Sequence, residues 1–152
     1  YNTGFEVLWS ETISKAVSFS INGNIYRNTI DSFTVLNLYP TPHIFSADKQ
    51  SAFSGNIKLN ASFHLAGNVD LQATIVYLAP DVIPQGKIEQ RFSVDVGAKK
   101  MIQKGKGEVF ANATDLFNTM VIDKRIQGNG FYYVSADYYE TQVIRIGYSY
   151  KF

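Results

Sequence analysis

The sequence predicts an all-β protein whose antiparallel strands form a transmembrane β-barrel wall. Three observations predict it: side-chain polarity alternates at every second residue, the strands are long, and short connections alternate with long ones. Composition agrees. The 152 residues include 14 Lys+Arg, 13 Asp+Glu, 10 Tyr, 11 Phe, 1 Trp and no Cys. A net charge of +1 leaves no basic face for nucleic acid. Without cysteine there is neither a disulfide nor a thiolate metal site. No apolar run reaches the roughly 18 residues that a spanning helix needs. That limit does not apply to strands, whose alternation averages to near-neutral hydropathy.

Seven strands are expected, in order near 1–10, 15–31, 50–65, 69–79, 88–101, 107–125 and 139–152. The first puts Phe5, Val7 and Trp9 on one side, with Leu8 opposite. In the second, Val17, Phe19, Ile21, Gly23 and Ile25 alternate with Ser18, Ser20, Asn22, Asn24 and Tyr26. The third is the cleanest: Phe53, Gly55, Ile57, Leu59, Ala61, Phe63 and Leu65 interleave with Ser54, Asn56, Lys58, Asn60, Ser62 and His64. Only a strand separates such sets, because its side chains change face at each residue. The fourth places Val69, Leu71, Ala73, Ile75 and Tyr77 opposite Asp70, Gln72 and Thr74. In the fifth, Phe92, Val94, Val96 and Ala98 face away from Arg91, Ser93, Asp95 and Lys99. The sixth is less regular, since Phe110 and Leu116 fall opposite Val109, Ala111 and Ala113. The seventh aligns Ile144, Ile146, Tyr148, Tyr150 and Phe152 against Arg145, Ser149 and Lys151.

Strand length separates a membrane wall from a globular sheet. Thirteen residues from Phe53 to Leu65 extend roughly 43 Å at ~3.3 Å each. Tilted by ~45°, they cross about 30 Å, the hydrocarbon thickness of a bilayer. The short connections are Glu11–Ser14, Ala66–Asn68 and Ile102–Lys106; the long ones are Ser32–Lys49, Pro80–Lys87 and Ile126–Tyr138. Outer-membrane barrels turn tightly on the periplasmic side and loop outward on the other. The last strand therefore runs inward. Pro40, Pro42, Pro80 and Pro84 all fall in the long connections, where no ladder hydrogen bond is lost.

Alternation alone does not say whether the apolar face meets lipid or a protein core, and a soluble barrel with its apolar side inward alternates too. Three features favour lipid. The opposite face carries Asn, Ser, Lys and His in long succession, as a watery lumen allows. Phe53 and Phe63 stand near the strand ends like interfacial girdles. Gly55 and Ala61 between them would fill a soluble core poorly.

The segment Lys104-Gly105-Lys106-Gly107, followed by an alternating strand into Asp115-Leu116-Phe117-Asn118-Thr119, resembles the penultimate hairpin of TonB-dependent outer-membrane receptors, closest to the Bacteroidetes-type group. The stretch from Tyr138 to Phe152 resembles the last strand of that family. The likeness covers about Phe92 to Phe152 well and the earlier strands in rhythm only. The Asp-Leu-Phe-Asn-Thr run is moderately specific; alternating terminal aromatics end most outer-membrane barrels.

The resemblance implies a 22-stranded barrel in the bacterial outer membrane with an N-terminal plug inside it. Such receptors bind a scarce nutrient outside and import it when TonB pulls on a segment before the plug. Residues 1–152 would be the C-terminal barrel segment, with plug and TonB-contacting segment upstream of Tyr1. Seven strands are an odd number, which cannot close a bacterial barrel. Implied partners are membrane lipid, TonB, the plug and the barrel assembly machinery, which would read Tyr148, Tyr150 and Phe152 as the assembly signal. There is room for a surface lipoprotein docked on the loops. Two alternatives stay open: a self-contained eight-stranded barrel of structural or adhesive role, with Ser32–Leu38 as its eighth strand, and a soluble β-barrel ligand binder.

Nothing in the sequence points to an enzyme, a cofactor or a metal. His43 and His64 have no His, Cys or carboxylate at ligand spacing. No G-x-S-x-G elbow occurs, and Lys-Gly-Lys-Gly lacks phosphate-loop spacing and reads as a turn. Gly128-Asn129-Gly130 also reads as a turn. Asp115 and Asn118 lack a nucleophile or base partner and read as strand-end or lumen residues. The polar-face charges Lys58, Asp70, Arg91, Asp95, Lys99 and Arg145 are solvated in the lumen or contact a plug, with solvation preferred. The tyrosines Tyr132, Tyr133, Tyr138 and Tyr139 suit ligand stacking and an interfacial belt equally.

Overall fold

The computed structural model describes every residue except Asn129. Seven strands form one antiparallel sheet in the expected order. They are β1 (Asn2–Ser14), β2 (Val17–Ile30), β5 (Gln50–Leu65), β6 (Val69–Leu78), β9 (Arg91–Ile102), β10 (Gly107–Thr114) and β13 (Val143–Tyr150). The missing numbers belong to the outer connections: β3 (Phe33–Asn37), β4 (His43–Ala47), β7 (Asp81–Ile83), β8 (Gly86–Ile88), β11 (Val121–Gly128) and β12 (Phe131–Tyr138). The seven-stranded sheet is open, with β1 and β13 at its edges.

Register aligns the two polarities across the whole sheet. Trp9, Ile21, Leu59, Ile75 and Val94 form one cross-strand row; Ser10, Ser20, Asn60, Thr74 and Asp95 form the next. A slip of one residue anywhere would turn an apolar set onto the polar face. The ladder is also staggered. Val17 pairs with Phe63, two residues short of the closing pair Leu65–Val69. Val69 pairs with Lys100, two residues short of Ile102, which faces Gly107. The shift is one residue per strand. With ~3.3 Å per residue and ~4.8 Å between strands, it corresponds to a tilt of about 35°, within the range of barrel walls.

The sheet has no apolar core of its own. Among the described residues Ala113, at 8% exposure, is the sole buried hydrophobic side chain. Phe5 is 84% exposed, Phe53 75% and Ile146 79%. The accessible surface is 10838 Å², against roughly 7,700 Å² for a compact monomer of 17.0 kDa. A soluble ligand binder with a filled interior is not what this chain forms.

Five expectations about the elements change. The first strand, expected near 1–10, runs on to Ser14, so the expected connection Glu11–Ser14 is strand paired with β2 and the turn shrinks to Lys15–Ala16. The strand expected over 107–125 ends at Thr114, because Asp115 (φ 45°) and Asn118 (φ 55°) take the left-handed conformation. Asp and Asn tolerate that region better than other non-glycine residues. The chain then leaves the wall as β11. The strand expected from 88 begins at Arg91, and that expected from 139 begins at Val143. Finally, Ser32–Leu38 adds no eighth wall strand: β3 pairs with β4 in a separate hairpin.

The long connections are themselves β-structure. β12, β11, β8 and β7 form a four-stranded outer sheet. Gly86 is required there, since a Cβ at that position would sit 1.9 Å from the Arg125 carbonyl oxygen. Gly128 pairs with Phe131; Asn129, at the centre of the expected turn, lies outside the described residues. The opposite, short-turn end closes with a 3-10 turn at Gln103–Gly105.

Candidate functional site

The polar face of the wall is the candidate site, bounded by an outer rim and an inner charged row. At the outer end the β7–β8 connection folds onto this face. The Tyr26 hydroxyl donates to Asp81 Oδ2 at 2.8 Å, and Asn28 Nδ2 donates to Asp81 Oδ1 at 2.8 Å. Both Tyr26 and Asn28 belong to the polar set of β2, so a connection already lies over the polar face.

Further along the rim, Asp115 organises the bend after β10. It is 2% exposed. Its carboxylate accepts from the Thr141 hydroxyl at 2.5 Å and from the backbone N–H groups of Thr119 at 2.9 Å and Met120 at 3.2 Å. Its own N–H donates to Asp95 Oδ1 at 2.8 Å. Burial works to raise the Asp115 carboxyl, but the donors from Thr141, Thr119 and Met120 outweigh it and hold it below the ordinary carboxylate range. The Tyr138 hydroxyl donates to Asn118 Oδ1 at 2.9 Å, tying β12 to the same bend. Asp115 and Asn118 therefore serve as architecture of the rim. Two outer ion pairs stiffen the connections. Lys49 lies 2.8 Å from Asp31 and lowers its pKa by hydrogen bonding. Asp137, 2.6 Å from Lys124, raises the lysine's pKa in the same way.

Mid-wall, hydrogen bonds run from strand to strand. Asn60 Nδ2 donates to the Ser20 hydroxyl at 3.2 Å, and the Thr74 hydroxyl donates to Asn60 Oδ1 at 3.0 Å. At the inner end, four successive strands each contribute one ionisable group. His64 Nδ1 lies 2.6 Å from Asp70, Lys99 lies 3.6 Å from Asp70, and Lys99 lies 3.8 Å from Glu108. This corrects the reading of His64 as a histidine without a carboxylate nearby. The sequence separation of six residues hid the pair; the hairpin register places His64 directly opposite Asp70. A cavity of about 360 Å³ lies beside the row, next to Phe110 and Asn112. No group of three or more His, Cys, Asp or Glu could hold a metal among the described residues. Of the other polar-face charges, Lys58 stands in a row with Asn22 and Ser93, and Arg145 opposite Asn112. Tyr132 pairs with Gln127 in the outer sheet rather than in an unstructured loop.

The model of the outer membrane protein beta-barrel family matches residues 1–150. This chain belongs to that family. Its apolar rows are accordingly the lipid-facing side of a wall in the bacterial outer membrane, and its polar rows line the lumen. Neither a curated protein nor a solved structure matches this β-barrel family member. The aromatic residues read as an assembly signal end the wall at an edge strand: Tyr148 faces Val109, Tyr150 faces Gly107, and the Tyr150 and Phe152 rings meet edge-to-face at 5.4 Å.

Proposed function

We propose that the chain is the C-terminal wall of a TonB-dependent nutrient-uptake receptor, closed into a 22-stranded barrel by strands upstream of Tyr1. One observation carries the reading: β1 and β13 are both free edges. In hydrocarbon every backbone N–H and C=O needs a partner, and an open sheet edge is not tolerated there. Seven strands, an odd number, need others to close. The likeness of Lys104–Thr119 and Tyr138–Phe152 to the last hairpins of these receptors supports the same reading. So do the polar lumen rows, which offer a plug a hydrated and chargeable surface.

In this reading the protein does no covalent chemistry. Solute binds outside, TonB acts on the upstream plug, and passage follows through the lumen. The barrel assembly machinery reads β13. The reading frame upstream of Tyr1 tests the proposal. A plug domain there, with uptake by the full-length protein lost when TonB is deleted, is the expected result. A secretion signal joined directly to Tyr1 would overturn it in favour of a small barrel.

A further inference from the structure

We propose that the lipid-facing wall holds one diacyl phospholipid of the periplasmic leaflet, its acyl chain in a trough along β9 and β10 and its phosphate on Lys100. The inference rests on the placement of the wall in the outer membrane and is independent of the uptake reading.

The trough is floored by Ala98, Ala111 and Ala113, where the side chains stop at Cβ. Phe63 and Leu71 rise on one side of it, and Ile144 and Ile146 on the other. The cavity they enclose measures about 480 Å³ and is almost wholly apolar. An acyl chain lying there touches wall on three sides, whereas on a flat face it would touch one, and dispersion contacts grow accordingly. The floor runs from the Val96–Ala113 pair to Ala98–Ala111, and the next pair on the same face, just beyond the cavity, is Lys100–Val109. The four steps along β9 from Val96 to Lys100 cover roughly 13 Å, close to the ~15 Å of a single hydrocarbon leaflet.

The trough ends on positive charge. Lys99 is turned to the lumen, where it approaches Asp70 and Glu108. Lys100 therefore faces the lipid side, between Val69 and Val109. A lysine on that side costs little only near the interface. The adjoining turn adds Lys104 and Lys106. An apolar channel that runs down to a cationic rim complements an acyl chain that runs down to a phosphate. At the upper end the floor meets Ile144, and the next residue, Arg145, belongs to the lumen face. The polarity thus selects a periplasmic-leaflet lipid over lipopolysaccharide.

The test titrates delipidated full-length protein with phosphatidylglycerol and counts bound lipid by native mass spectrometry. Wild type should retain one molecule ahead of all others. Lys100→Glu should weaken that first site about fivefold or more, and Ala111→Phe should abolish it. Ile57→Phe, on the lipid side but outside the trough, should leave it unchanged. Should Ala111→Phe fail to fold, Lys100→Glu decides alone, because its side chain is exposed. Equal retention by Lys100→Glu and wild type would overturn the proposal. Displacement of the bound phosphatidylglycerol by lipopolysaccharide would overturn it too.

Discussion

The ring of Phe110 lies across Gly147 on the neighbouring strand. A Cβ built on Gly147 would come 2.3 Å from Phe110 Cζ. The two residues are register partners on the lumen side of β10 and β13. This explains why an aromatic residue interrupts the polar set of β10: the glycine opposite provides a bare backbone for it to cover.

Gly147→Ala should force the ring aside. The expected cost is about 1 kcal/mol, the lower end for overpacking, because a ring edge can swing. Urea midpoints in detergent micelles measure it. Made in a Phe110→Ala background, Gly147→Ala should cost little beyond Phe110→Ala alone, and an undiminished cost would show that the ring is not held.

Asp115→Ala should loosen the bend at 115–120 by about 2 kcal/mol, the scale of hydrogen bonds to a charged acceptor. Amide exchange at Thr119 and Met120 should accelerate while the mid-wall amides of β5 do not. Acid should mimic the variant. Because the folded-state pKa of Asp115 is lowered, its stabilisation is complete above the ordinary carboxylate range and is lost as pH falls through the folded value. Loss of protection at these two amides, measured against the intrinsic exchange rate at each pH, is expected below about pH 4; unchanged protection would count against the carboxylate's role.

Residues 1–152 contain no cysteine, so single cysteines placed there, with any cysteine elsewhere in the full-length protein replaced, give a direct check of sidedness. Cysteine at Ile57 or Ile146 should be shielded from a water-soluble maleimide in intact outer membranes. Cysteine at Asn60 should react once the lumen is hydrated. The reverse pattern would invert the assignment of the two faces.

Asp81→Ala removes the acceptor that holds the β7–β8 connection through Tyr26 and Asn28. Limited proteolysis from outside the cell should then cut within 79–90 faster than in wild type. Cleavage at the wild-type rate would mean that the outer sheet alone secures this connection.

Deleting Phe152 from the full-length protein should lower its outer-membrane yield. Tyr148 and Tyr150 remain on the edge strand, but the edge-to-face partner of Tyr150 is gone. Quantitative heat-shift electrophoresis of membrane fractions measures the effect. A normal yield would remove Phe152 from the assembly signal.

The wall was legible because its information is local and periodic. Alternation in 53–65 sets both faces of β5 without reference to any other strand. Alternating connection lengths set the two ends. Three members of the inner charged row, His64, Asp70 and Lys99, were visible as residues though not as a cluster, and Glu108 was not singled out; the four meet only through pairings across four strands. The breaks were harder to see. Nothing in the run Gly107–Thr119 announces a stop at Thr114, since Asp115 bends the chain by gathering Thr119, Met120 and Thr141.

By itself, the sequence determined the seven wall strands, their order and which residues share a face of each, because a strand's side chains alternate whatever its neighbour. Tertiary structure decided the outer sheet, the bend at Asp115, the His64–Asp70 pair and the alanine trough. Each of those depends on register between strands distant in the chain, and register is a property of the assembled ladder.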